Sequence, residues 1–220
     1  MMKIKTAGML AVSCFWAVAA VAGSAEHDLA QQPLSGRDLV DALRQGGYVI
    51  YFRHAATDWS QDDRVTAEGG WTSCDPQRMR QLSDQGRAAA RRIGDAIRRL
   101  DIPIGRVLSS QYCRTRQTAQ LMDIGPVVPT LAIMNMRVAD MVGGPEAVVE
   151  RAQRELGRPP KPGTNTVLVA HGNLMRAASG AYTGEAGAGI YAPLGGKEFQ
   201  LVGLLLPEQW QQLADRFANE

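Results

Sequence analysis

The sequence predicts a single α/β domain. Three observations carry this reading. Short apolar runs of strand length, at 48–52 and 166–170 for example, alternate with amphipathic stretches of helical period from residue 35 onward. No repeat, linker or second domain interrupts that span, and 220 residues suffice for one domain with a sizeable core. Three of the strands also deliver an imidazole or guanidinium side chain to their C-terminal ends, where open α/β sheets bind ligands.

The first 25 residues stand apart. Lys3 and Lys5 precede an apolar stretch over 7–22, and small residues follow, with Ala22 and Ala25 as candidate cleavage points. These are the three regions of a secretory signal peptide. As a retained anchor the apolar run would be short for a span of about 20 residues. Cys14 sits within that run, which suits a lipidation site poorly. Cleavage would remove Lys3 and Lys5 and leave 22 basic against 22 acidic residues, so the formal charge falls from +2 to zero. The whole-chain charge therefore points neither to nucleic acid nor to stable membrane association after leader removal. Export across the inner membrane implies a periplasmic protein. The remaining cysteines, Cys74 and Cys113, can pair there. The loop so closed has about 40 residues, roughly 3–4 kcal/mol in the chain-entropy model. Two buried free thiols are the alternative.

Residues 26–34 read as a flexible lead-in, and the domain is expected over 35–220. Ser35 can cap a helix through Arg44 that Gly46-Gly47 ends. The strand 48–52 runs into Arg53-His54. Residues 57–80 are polar and aperiodic and read as a long loop beside the strand end. Ser83 caps an amphipathic helix with Ala88, Ala89, Ile93, Ala96, Ile97 and Leu100 on one face. Arg87, Arg91, Arg92, Arg98 and Arg99 recur on it at helical spacing and read as a solvated face. A short strand at 106–109 leads to a helix over 113–122, a strand at 127–131 and an ambiguous segment over 132–144. A helix begins at Pro145. The run 166–170, apolar throughout, reads as a central strand buried on both faces. A helix from Leu174, a Gly-rich stretch over 184–198, a last strand at 199–206 and a C-terminal helix from Pro207 complete the chain.

The chemistry sits at the strand ends: Arg53-His54, then Ser109 through Arg114, then Ala170-His171-Gly172. An arginine fork binds phosphate oxygens bidentately, and helix N-termini add amide donors. Two arginines and two imidazoles largely neutralise a phosphate dianion and can stabilise a transferring phosphoryl group.

These residues carry a resemblance. Arg53-His54-Ala55-Ala56-Thr57-Asp58-Trp59 resembles the Arg-His-Gly-x-Thr-x-Trp signature of the histidine phosphatase superfamily, whose fold is phosphoglycerate-mutase-like. Leu82-Ser83-Asp84-Gln85-Gly86 with Ala89 is similar to its helix-start motif. Residues 109–119 resemble its Ser-Ser-Pro-x-x-Arg-Ala-x-Gln-Thr-Ala motif, and residues 167–172 its second-histidine strand. The likeness spans 45–206. It implies a three-layer α/β/α sandwich on a mostly parallel sheet, and a metal-independent phosphomonoesterase with no cofactor and a small phosphorylated substrate. His54 would be the nucleophile. Arg53, Arg114 and His171 would hold the phosphoryl oxygens, with Thr57 and Asn173 added to the phosphate-binding set. Arg116 would lie on the surface. The exported form, with a cysteine before the second arginine, is most similar to periplasmic members.

Three departures from the pattern matter. Ala55 stands for a glycine and Gln111 for a proline. The glutamate that many relatives carry about 25 residues beyond the second arginine, as general acid, is missing. Asp140 lies at that distance; Glu146 and Glu185 are the other candidates. Without an acid, poor leaving groups would react slowly, and a phosphate-binding protein without turnover becomes the alternative function. A mutase is disfavoured by export and by the missing glutamate.

Overall fold

The computed structural model describes Met1 and residues 33–218, so the leader and most of the lead-in lie outside the described residues. The chain divides into residues 1–30 and 31–220, and the fold below is that of the second unit. None of its described helices is long and apolar enough to cross a membrane.

A six-stranded sheet carries helices on both faces. In chain order the elements are α1 (Gly36–Gln45), β1 (Val49–Arg53), α2 (Asp84–Arg99), β2 (Ile104–Ser110), α3 (Cys113–Met122), β3 (Val127–Thr130), α4 (Pro145–Leu156), β4 (Asn165–Ala170), α5 (Gly172–Ser179), β5 (Ala188–Gly195), β6 (Glu198–Leu205) and α6 (Pro207–Phe217). The sheet order is β3-β2-β4-β1-β5-β6. The first four strands pair in parallel, while β5 runs antiparallel to both β1 and β6.

Strand alternation divides the core in two. Ile50, Phe52, Val167 and Val169 point to the face covered by α1, α2, α3 and α6, where Leu43, Ile93, Ala119 and Trp210 pack. Val49, Tyr51, Leu168 and Ala170 point to the other face, where α4 and α5 supply Val148, Ala152, Leu174 and Met175. Every residue of β4 is buried, as expected for a central strand covered on both sides. The predicted three-layer sandwich is therefore present.

The helices over 113–122, 145–156 and 207–217 match their sequence signals residue for residue. Ser83 caps α2 by accepting the Gly86 amide at 3.0 Å. Gly86 is required there: a Cβ would lie 2.0 Å from the Ala56 carbonyl, so only glycine lets the helix start pack against the chain leaving β1. The arginines of α2 beyond Arg87 are exposed, and Arg99 meets Asp215 at 2.9 Å. The Gly-rich stretch over 184–198 is a correction. Most of it is β5, whose Ala188, Gly189 and Ile190 are buried against β1 and β6. Small residues hid a strand that owes its place to pairing, not propensity.

Candidate active site

The three central strands β2, β4 and β1 are neighbours, and their parallel register aligns their C-terminal ends. Arg53 pairs with Ala170, and the His54 amide donates to the Ala170 carbonyl at 2.9 Å. Register alone thus sets Arg53-His54 beside His171, with the β2 end and the first turn of α3 on the other flank. His54, Arg53, Arg114 and His171 line one cavity of about 330 Å³.

The hydrogen bonds of the histidines define their proton positions. His54 Nδ1 lies 2.9 Å from the Ala55 carbonyl oxygen. A carbonyl only accepts, so Nδ1 carries the proton and Nε2 keeps a lone pair. Burial above all, then the positive charge of Arg114, with Arg53 and Arg80 adding to it, holds His54 well below the usual imidazole range. It is a neutral imidazole with a free ring nitrogen, the form a nucleophile needs.

His171 is held from both sides. Asn135 Oδ1 accepts from the Arg137 amide at 3.0 Å and from Asn173 Nδ2 at 2.8 Å, which orients the amide. Asn135 Nδ2 therefore donates to His171 Nδ1 at 3.0 Å, and the imidazole proton resides on Nε2, 2.9 Å from Ser110 Oγ. Burial and then Arg114 push His171 down as well. Its backbone is bracketed by the Tyr51 hydroxyl, which donates to the His171 carbonyl at 2.9 Å. The two imidazoles meet edge to face with centroids 5.7 Å apart.

The two arginines are positioned by carboxylates. Arg114 is 2% exposed at the side chain and donates to Asp63 Oδ1 at 2.9 Å; Asp63 is 5% exposed. Arg114 Nε has no partner among the described residues. Arg53 donates to the Tyr182 hydroxyl at 2.8 Å and lies 3.8 Å from Glu185 Oε1. The glycine after the second histidine follows from this path. A Cβ on Gly172 would stand 3.0 Å from Arg53 Cδ and 2.9 Å from the Tyr182 ring.

The segment over 57–80, expected as an aperiodic loop, is irregular but firmly tied. Cys74 and Cys113 form a disulfide, so the free-thiol alternative is not realised. Trp71 is buried with Met79, Tyr112, Met134 and Val138, and its Nε1 donates to Gln111 Oε1 at 3.0 Å. Asp63 Oδ1 also accepts the Arg80 amide at 3.1 Å. Gln111 thus supplies a tie that the proline of the family pattern could not. Ala55 does not adopt positive φ, so the glycine of the pattern is dispensable there. Arg116 does not simply face solvent: it donates to the Thr72 carbonyl at 2.7 Å and braces the same segment.

Three of the sequence candidates lie off the cavity. Asp140 is exposed on the 3₁₀ segment Met136–Val142 and does not line the cavity. That segment turns Asn135 inward instead. Glu146 is exposed in the first turn of α4. Thr57 is buried and gives its hydroxyl to Glu185 Oε1 at 2.9 Å, so it orients a carboxylate behind Arg53 rather than lining the cavity. Among the described residues no carboxylate lines the cavity. Asn173 lines it and reaches His171 only through Asn135. Sequence reading missed Asp63, Arg80, Asn135, Arg137, Arg176 and Tyr182. None belongs to a motif; Arg176 comes from α5, and the others approach from segments between the main helices and strands.

The fold and these strand-end groups define an α/β protein that gathers two histidines and two arginines in one cavity at the end of its parallel strands. The chain belongs to the histidine phosphatase superfamily (branch 1), whose model matches residues 49–159. Solved structures share the fold. The protein histidine phosphatase SixA complexed with tungstate is 14% identical, with a TM-score of 0.52 over 74% of this chain and 98% of that one. A proposed α-ribazole-5′-P phosphatase from Escherichia coli K-12 is 15% identical, with a TM-score of 0.51 over 74% of this chain and 98% of that one. No curated protein sequence matches the chain.

Proposed function

We propose that the protein is an exported phosphomonoester hydrolase that works through a phosphohistidine on His54. The observation that carries this is the neutral, buried His54 with its lone pair on Nε2, in a cavity it shares with Arg53, Arg114 and His171. Nε2 attacks phosphorus, and the bond from phosphorus to the ester oxygen breaks with its electron pair leaving on that oxygen. Water then attacks the phosphohistidine and gives up a proton to solvent, the P–N bond breaks, and the pair returns to Nε2. Dividing one displacement into two lowers each barrier. Arg53 and Arg114 bear the equatorial charge, and the His171 Nε2–H can turn from Ser110 to a phosphoryl oxygen.

No step needs a metal, and guanidiniums in the cavity favour an anion over a cation. Asp63 and Glu185, the described carboxylates beside the cavity's arginines, are engaged by Arg114 and Arg53, so protonation of the departing oxygen is left to solvent. Export rests on the leader pattern, and the Cys74–Cys113 bond suits an oxidising compartment such as the periplasm. A small phosphorylated substrate fits the cavity volume.

The test is hydrolysis of p-nitrophenyl phosphate by the mature protein with a chelator present, against His54→Ala. Turnover by the parent, lost in the variant and indifferent to chelator, is the expected result. No turnover with saturable phosphate binding would leave a phosphate-binding protein, and activity lost to chelator would point to a metal-dependent route.

A further inference from the structure

The cavity holds more positive charge than one phosphoryl group requires. Five arginines line it: Arg53, Arg80, Arg114, Arg137 and Arg176. Arg114 is paired with Asp63, and Arg53 stands beside Glu185. Arg80, Arg137 and Arg176 form no salt bridge among the described residues. Setting two carboxylates against five guanidiniums leaves three positive charges, and a phosphomonoester dianion neutralises only two of them.

Two of these arginines are nevertheless held in place. Arg80 Cζ stands 4.1 Å from the centroid of the Trp59 ring, and Arg176 Cζ 4.2 Å from that of Tyr182. A ring face orients a guanidinium without cancelling its charge, unlike a carboxylate. Trp59 is 65% exposed and Tyr182 46% exposed, so both stacks sit where solvent reaches the cavity. Tyr182 also accepts from Arg53, linking its stack to the phosphoryl floor.

We propose that Arg80, Arg137 and Arg176 form a second anion subsite at the mouth, and that the substrate is a phosphomonoester bearing another phosphate or carboxylate in the same molecule. This rests on the phosphatase reading for the turnover of such a substrate, while the subsite itself is a binding claim. The two anionic groups serve the same recognition chemistry, and matched compounds separate them.

The experiment compares kcat/KM for fructose 1,6-bisphosphate with fructose 6-phosphate, and for 6-phosphogluconate with glucose 6-phosphate. The parent is expected to favour at least one anion-bearing partner about tenfold or more, and Arg137→Ala with Arg176→Ala to bring that ratio toward one. The first pair alone showing the preference assigns a phosphate, the second alone a carboxylate. Ratios near one in the parent, or a preference that survives both substitutions, overturn the subsite even if the protein is a good phosphatase. Should the parent hydrolyse nothing, the phosphatase reading fails, and calorimetric binding of the same four compounds decides. Affinity tenfold higher for an anion-bearing partner sustains the subsite, and equal affinities remove it.

Discussion

The floor of the cavity and its wall are built by different physics. The floor is three adjacent parallel strand ends whose register places Arg53, His54 and His171 within one neighbourhood. The wall is the segment over 57–80, which has little regular structure and is held by one disulfide, the buried Asp63–Arg114 pair and the seat of Trp71. Backbone hydrogen bonds make the floor insensitive to any one side chain. The wall depends on a few, each of which should be individually costly to remove. Arg114 belongs to both regions: α3 delivers it and a wall carboxylate orients it.

Removing floor chemistry should have the largest effect on rate and little on stability. His54→Ala is expected to lower kcat at least about a thousandfold, in line with nucleophile deletions elsewhere, measured with p-nitrophenyl phosphate. Its melting temperature should fall less with acid than that of the parent. Both histidines are held below their ordinary range in the folded state. Below about pH 6.5 the unfolded chain gains protons that the folded one refuses, so stability is full above that value and declines as pH falls. A parent melting temperature that does not change between pH 7 and 5 would contradict neutral buried imidazoles.

Breaking the wall should reverse the pattern. Cys74→Ser with Cys113→Ser is expected to cost about 4 kcal/mol of unfolding free energy, from the loop of 39 residues in sequence separation that the bond closes. Denaturant melts against the oxidised parent would read it. Asp63→Asn should cost roughly 3 kcal/mol by leaving Arg114 buried without its carboxylate. Added phosphate, by supplying an anion, should recover part of that loss in the same melts. A deficit that phosphate leaves untouched would mean that Arg114 does not face the anion.

The smallest effect probes the join. Asn135→Asp is expected to lower kcat/KM about tenfold and to shift its pH profile, because a carboxylate facing His171 Nδ1 favours the imidazolium and changes the charge of the site. A unchanged pH profile with reduced rate would mean that Asn135 serves only packing.

These contrasts also explain what could be read in advance. The strand run 48–52 and the apolar 166–170 declare central strands, and the residues that follow them are the site, because a parallel sheet carries its ligands at one end. Ser83 and Gly86 declare the start of α2. Asp140 lies at the family's spacing along the chain, but the turn over 136–142 leaves it exposed. Asn135, five residues earlier, is the one turned inward. Asp63 and Arg80 had no local signal, being polar residues in a polar loop.

The sequence by itself determined the layers, the central strands, and that Arg53, His54, Arg114 and His171 fall at or just beyond strand ends, since periodicity and strand ends are local properties. Only the tertiary structure decided which proton each histidine carries, that Asp63 and Glu185 serve the arginines, that no carboxylate of the described residues lines the cavity, and that Arg80 and Arg176 lean on aromatic rings. Those are meetings between residues far apart in the chain, and which distant groups meet is decided only when the loops are packed.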